Sequence, residues 1–245
     1  MINSVFITGA SSGIGEHLAY FYALKKLTLG LSARRIEELN RVAKKCESLG
    51  AKVFIYQLDV KNSDDVKNAI QNFTSKVEIL DCVIANAGIG KDEKILIGNA
   101  EIINNVIETN ILGVTNTLLP TIPIMVKQKF GKLVAISSVA SFIPTPNNSG
   151  YSASKAAVKM LMDGFRLKLS QFNIECITIC PGFVDTPIVT KNKPIPMMLD
   201  VERAVKKIAN AIERNKKKFI FPWQYKIILP ILKFIPDWIK LKLTK

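Results

Sequence analysis

Short apolar runs rich in β-branched residues alternate along this chain with longer stretches in which apolar positions recur every three to four residues. The short runs suit strands buried on both faces, and the longer stretches suit helices with one apolar face. Strands are expected near 3–8, 27–32, 52–58, 80–85, 131–137, 174–180 and 218–221, and helices near 14–26, 36–49, 63–76, 100–127, 151–171 and 200–214. Regular alternation requires crossover connections, which are right-handed, so the pattern predicts a mostly parallel seven-stranded sheet with helices on both faces. The fold class is therefore α/β, Rossmann-like and doubly wound.

Composition sharpens this picture. A hydrophobic share of 48% with 22% charged residues supplies a large core and argues against disorder. Met1-Ile2-Asn3-Ser4 leads directly into a strand, with no basic leader or apolar signal core, so the expected location is cytoplasmic. Cys46, Cys82, Cys176 and Cys180 show no Cys-x-x-Cys spacing and read as packed thiols. With His17 the sole histidine, no metal site is expected, and serine/histidine hydrolysis would rest on one residue.

The first strand runs into Thr8-Gly9-Ala10-Ser11-Ser12-Gly13-Ile14-Gly15 and then a helix. Glycines there let the main chain approach a phosphate, which the amides of the helix N-terminus face. The second strand ends at Ala33-Arg34-Arg35, where an acid would select a free ribose hydroxyl. Two guanidinium groups instead suit a 2′-phosphate, pointing to NADP (NADPH) over NAD; the alternative is that both arginines are solvated. Asp59, at the end of the third strand, suits either an adenine amino group or a turn.

Tyr151 and Lys155 lie four residues apart, on one face of a helix. A free phenol titrates near about 10, so a neighbouring ammonium that favours phenolate makes it a better proton carrier. Ser138 supplies a hydroxyl for a substrate oxygen.

These residues resemble the short-chain dehydrogenase/reductase family over about residues 3–187, with its TGxxxGxG and YxxxK motifs. The resemblance implies an NAD(P)-dependent oxidoreductase that interconverts a carbonyl and a secondary alcohol on a small molecule. It also implies cofactor contacts from Gly9, Ser11, Ser12, Gly13, Ile14, Gly15, Arg34, Arg35, Asp59, Val60, Asn86, Ala87, Gly88, Tyr151, Lys155, Pro181, Gly182, Val184 and Thr186. Its implied catalytic set is Asn110, Ser138, Tyr151 and Lys155. Tyr151 would exchange the proton, Lys155 would lower the phenol pKa and hold the nicotinamide ribose, Ser138 would stabilise the oxyanion, and Asn110 would anchor a relay water. Subunit contact through helices 100–127 and 151–171, giving a homodimer or homotetramer, is implied as well. The rival reading is a catalytically silent dinucleotide sensor or membrane-surface protein on the same fold.

Residues 1–221 are expected to form a single domain holding the cofactor and substrate sites, with 222–245 as a basic, apolar extension. Between them Pro187, Pro194 and Pro196 bracket an apolar segment that reads as a substrate lid or a packed loop. Net charge is +14, and residues 216–245 hold eight lysines against Asp237. Lys226, Lys233 and Lys240 recur among Ile227, Ile231, Ile235 and Trp238, with Trp223 and Tyr225 ahead of them. Lysines, Asp237, Pro230 and Pro236 interrupt the run, and the prolines are expected to break its helix, so a simple membrane span is excluded. Two uses remain: lying on an anionic membrane surface, peripherally at the inner face, or packing against the cleft or a second subunit. Interleaving with aliphatic residues argues against nucleic acid as a partner.

Overall fold

The computed structural model describes residues 2–90, 93, 95–145, 148–189, 195, 197–234 and 236. Its strands are β1 (Ser4–Thr8), β2 (Thr28–Ala33), β3 (Lys52–Gln57), β4 (Cys82–Ala85), β5 (Gly131–Ile136), β6 (Ile174–Pro181) and β7 (Lys218–Phe221). They form one sheet in the order β3-β2-β1-β4-β5-β6-β7, in which every neighbouring pair is parallel. The helices are α1 (Gly13–Ala23), α2 (Ile36–Ser48), α3 (Ser63–Thr74), α4 (Ala100–Ile107), α5 (Gly113–Leu118), α6 (Ile122–Gln128), α7 (Ser149–Leu169), α8 (Val201–Glu213) and α9 (Tyr225–Phe234).

Alternation along each strand divides the core. Val5 and Ile7 of β1 join Leu18, Leu39 and Ile208 from α1, α2 and α8 on one face. Phe6 points oppositely and joins Phe73, Val114 and Val158 from α3, α5 and α7. Covered on both sides, β1, β4 and β5 are buried at every residue, which is why their middles read as apolar runs, whereas the edge strand β3 is partly exposed. Asp81 fixes the start of the central strands by accepting from the amides of Asn3 and Ser4 at 2.8 and 2.9 Å.

Two expectations need correction. The helix expected over 100–127 changes winding within the helical stretch Ala100–Gln128, with a π-helical turn at Glu108–Leu112 and a 3-10 turn at Leu119–Thr121. Pro120 and Pro123 sit at the first positions of new segments, where a missing amide costs little. That stretch is long and apolar enough to cross a membrane, yet Val106, Val114, Leu118 and Met125 bury it on the sheet, so it is a core helix. Likewise Pro230 does not break α9, which passes through it. Pro230 and Lys226 are both exposed, so water can serve the Lys226 carbonyl that proline leaves without a donor. The residues of the lid at Pro194 and Pro196, and Ile235, Asp237, Trp238 and Lys240 of the tail, lie outside the described residues.

Candidate active site

In the strand order the direction of winding reverses between β1 and β4, and a crevice opens beyond their carboxyl ends. Thr8 Oγ1 accepts from the amides of Asn86 and Ala87 at 3.1 and 3.2 Å. Asn86 Nδ2 returns bonds to the carbonyls of Thr8 and Gly9 at 3.0 and 3.1 Å. The turns after β1 and β4 are thereby locked together.

The glycine turn then swings into α1. Gly9 and Gly13 take φ of 66° and 58°, the left-handed region that glycine enters without strain. A Cβ on Gly15 would run into the Gly9 carbonyl oxygen, so no side chain is admitted at the helix start. Ser12, the residue before α1, makes no capping hydrogen bond, leaving the first-turn amides open to a ligand. Its hydroxyl and that of Ser11 instead accept from Arg35 Nη2 at 2.9 and 3.2 Å. A guanidinium thus reaches the glycine turn from the end of β2. Arg34 Nη1 lies 3.6 Å from Asp59 Oδ2, and Asp59 Oδ1 accepts from the Lys61 amide at 3.0 Å, so this carboxylate also serves its own turn. Val60 packs under Gly113, Ile14 joins the first core face, and Thr186 Cγ2 would lie 3.2 Å from a Cβ on Gly13. A cradle of bare main chain, open amides and a cation at its rim fits the pyrophosphate and adenosine portion of a nicotinamide dinucleotide.

Across the crevice β5 delivers Ser138 and α7 delivers Tyr151 and Lys155. Ser138 Oγ accepts from the Ala140 amide at 3.1 Å, which orients it, and Ser138 is near enough to the Tyr151 phenol to lower its pKa. Lys155 is buried; its Nζ donates to the Ile136 carbonyl at 2.9 Å and lies 5.7 Å from the Tyr151 ring centroid. Gly88 brings the remaining pieces close, because a Cβ there would sit 3.2 Å from both Lys155 Nζ and Asn110 Oδ1.

The electrostatics depart from expectation in one respect. Burial pushes the Tyr151 phenol above its ordinary pKa, and the Ser138 hydroxyl is what pulls it back, rather than the Lys155 cation. Lys155 is itself depressed to about 8 by burial. Its ammonium spends one of three donors on a carbonyl and stands by the ring, with no hydrogen bond to the phenol oxygen among the described residues. Asn110 is fully buried in the π-helical turn, and its Nδ2 is spent on the Ile89 carbonyl at 2.9 Å and Ser154 Oγ at 3.0 Å, while Oδ1 accepts from the Ile89 amide at 2.8 Å. Only a second lone pair of Oδ1 is left for a water.

On the β6 side, the Gly182 amide donates to the Phe221 carbonyl at 2.7 Å and follows Pro181, the last residue of β6. Val184 is buried and bridges Leu199, and Thr186 Oγ1 donates to the Val184 carbonyl at 3.2 Å. One site residue escaped sequence reasoning. Glu93 is buried, and its two carboxylate oxygens accept from the amides of Gly150 and Tyr151 at 2.9 and 2.8 Å. Asn148, at the N-cap of α7, makes no side-chain capping bond, so Glu93 does that work from another loop. In sequence it belongs to Lys91-Asp92-Glu93-Lys94, a charge cluster that reads as solvated; only the absence of an acid in the first turn of α7 hints otherwise. His17 merely contacts the Gly13 carbonyl at 2.9 Å, and all four cysteines are buried, their thiols pushed up to about 11 or 12.

Comparison with known proteins gives the family and agrees with the fold. The sequence model described as short chain dehydrogenase matches residues 3–195. An uncharacterized oxidoreductase of Myxococcus xanthus is 32% identical over 235 residues, 96% of this chain and 93% of that protein. The 11-beta-hydroxysteroid dehydrogenase-like 2 protein of Arabidopsis thaliana is 36% identical over 244 residues, covering 95% of this chain and 78% of that protein. Among solved structures, a short-chain dehydrogenase from Sphingobium yanoikuyae in complex with NADPH superposes with a TM-score of 0.83 at 26% identity, covering 96% of this chain and 97% of that one.

Proposed function

Because this chain belongs to the short-chain dehydrogenase/reductase family and is an NAD(P)-dependent oxidoreductase of CH–OH and C=O groups, we propose that it uses NADP(H) and interconverts an apolar carbonyl compound and its secondary alcohol at Tyr151. The observation that carries this reading is the buried Lys155, its Nζ 5.7 Å from the Tyr151 ring centroid and beside Asn110 Oδ1 at Gly88, with Ser138 lowering the pKa of the Tyr151 phenol from the end of β5.

The bound dinucleotide supplies or accepts the hydride. In reduction Tyr151 Oη gives its proton to the carbonyl oxygen, and in oxidation it takes one from the alcohol. A phenol raised by burial keeps its proton at neutral pH and stands ready as a donor. Ser138, its rotamer held by the Ala140 amide, donates to the same substrate oxygen as negative charge develops there. Lys155, depressed to about 8, is mostly cationic at neutral pH, and a water held against Asn110 Oδ1 would relay protons to it. The same cation is suited to hold the nicotinamide ribose, and Val184 and Thr186 to meet the carboxamide. Glu93 positions Tyr151 through the main chain.

Preference for NADP is supported by Arg35 at the glycine turn and Arg34 beside it, with Ala33 where an acid would select the free ribose. An apolar substrate is supported by Ile188, which would lie 3.7 Å from a Cβ on Gly90, the residue that packs on the Tyr151 ring. Self-association is supported by the exposed Leu112, Leu119, Met160 and Leu167 on the stretch 100–128 and α7. A cytoplasmic or membrane-peripheral setting is the counterpart of the basic carboxyl-terminal segment. The test is a panel of ketones and aldehydes with NADPH and with NADH, followed by loss of nicotinamide absorbance. Turnover with NADPH exceeding that with NADH is expected; no turnover with any compound would leave a silent dinucleotide binder.

A further inference from the structure

Helix α9 is apolar on two opposite sides. Inwardly, Tyr225 and Leu229 are only 8% and 4% exposed and pack with Val139, the residue after Ser138, and with Phe142, Ile143 and Met197. Tyr225 also closes on the segment after β6, since a Cβ on Gly182 would sit 2.5 Å from its Cε2. Outwardly, Trp223, Ile227 and Ile231 are 64%, 55% and 57% exposed. Ile227 and Ile231, four apart, share one line of α9, with Trp223 in the turn just before the helix and the exposed Lys226 beside Ile227 in sequence.

A solvated helix carries polar residues on such a line, so the outer side needs a cover. Charge indicates which. Between Glu213 and Asp237 the sequence holds no acid, but it holds Arg214 and five lysines. Beyond Pro222, five lysines face one aspartate. Exposed apolar side chains with an interfacial tryptophan, beside the exposed Lys226 and within a stretch of sequence rich in lysine and poor in acids, match an anionic lipid surface. A second copy of this chain would bring the same cations against its own, which disfavours self-docking.

We propose that the outer side of α9 docks on an anionic lipid surface, while its inner side, packed on the Ser138 turn, sets the substrate cleft beside that surface to draw an apolar carbonyl compound from it. The proposal rests on the oxidoreductase reading of the Tyr151 site, but its first test does not require turnover. The full-length protein and its Trp223→Ser/Ile227→Ser/Ile231→Ser variant are sedimented with phosphatidylcholine vesicles, with and without phosphatidylglycerol. Wild type should partition onto the anionic vesicles, less so at high salt, and the variant should lose roughly tenfold in partition. Equal partition of the two, or none by wild type, would overturn docking. So would a wild type that is larger than the variant in solution without lipid, because a second copy would then be the cover. With NADPH, the variant should turn over a water-soluble carbonyl as wild type does and show a several-fold higher KM for a ketone dissolved in the vesicles. An unchanged KM for the vesicle-borne ketone would overturn substrate delivery. Failure of wild type on every carbonyl would strike the oxidoreductase reading instead, with the sedimentation result standing by itself.

Discussion

On the β1–β4 side of the crevice, main chain meets main chain: a Cβ on Gly9 or Gly15 would run into backbone, and Asn86 stitches the turn after β4 to the carbonyls of Thr8 and Gly9. On the β6–α9 side, side chain meets side chain: Val139, Phe142, Met197, Tyr225 and Leu229 fill space that other apolar residues of similar volume would also fill. The first construction suits a ligand whose phosphates never vary. The second leaves the substrate to be decided by replaceable packing, which explains why the cofactor class is legible here and the substrate is not. Tyr151 and Lys155 stand where the two constructions meet.

The largest effect should come at that junction. Lys155→Met should lower kcat by at least about a hundredfold, measured with saturating NADPH, since the proton relay loses its titrating group. The same variant sharpens the electrostatics. Lys155 titrates near about 8 in the fold against 10.5 for its ordinary value, so between those pH values the unfolded chain binds more protons, and stability contributed by this residue rises with pH. Below about pH 8, keeping the buried cation costs the fold on the order of 3 kcal/mol, relieved as pH climbs through that window. Denaturant unfolding of wild type minus variant, from neutral pH to about pH 10, should show this slope; a flat difference would mean that Lys155 titrates normally.

Next in size is Gly15→Val, which drives a side chain into the Gly9 carbonyl and should weaken dinucleotide binding by about a hundredfold or more, read by fluorescence titration. Leu229→Ala, on the other side, should lower stability by about 2–5 kcal/mol yet leave NADPH affinity unchanged, and if affinity fell equally in both the contrast between the two sides would be lost. Arg35→Ala should weaken NADPH binding roughly tenfold and NADH binding little; equal losses would rule out phosphate recognition. Smallest is Glu93→Gln, which keeps the shape but loses one acceptor and the charge facing the α7 amides. It should cost about 1 kcal/mol, a fall in Tm of about 2–4 °C, with kcat reduced less than tenfold.

Much of this was readable beforehand because the informative residues act locally. Thr8 to Gly15 must turn a strand into a helix within a few positions, and Tyr151 and Lys155 share a helix face through spacing alone. All seven strands lie close to their expected bounds, since burial on both sides writes the central ones as largely apolar runs and the edge strands β3 and β7 still carry β-branched and aromatic residues. Features set by contacts across the fold were not legible. The π-helical turn that buries Asn110 spans only five residues, too few for the apolar pattern over 100–127 to show it. Pro230 reads as a breaker because the exposure that tolerates it is a property of the packed helix. Glu93 meets Gly150 from 57 residues away, and Arg35 meets Ser12 from 23, distances at which composition carries no signal.

The most direct test of the central claim is single-turnover hydride transfer in Tyr151→Phe, with NADPH affinity measured on the same sample. Unchanged NADPH affinity and a rate lower by roughly a thousandfold are expected, because only the transferable proton is removed. A rate within a few-fold of wild type would show that the proton comes from elsewhere and that Tyr151 is not the acid of this site.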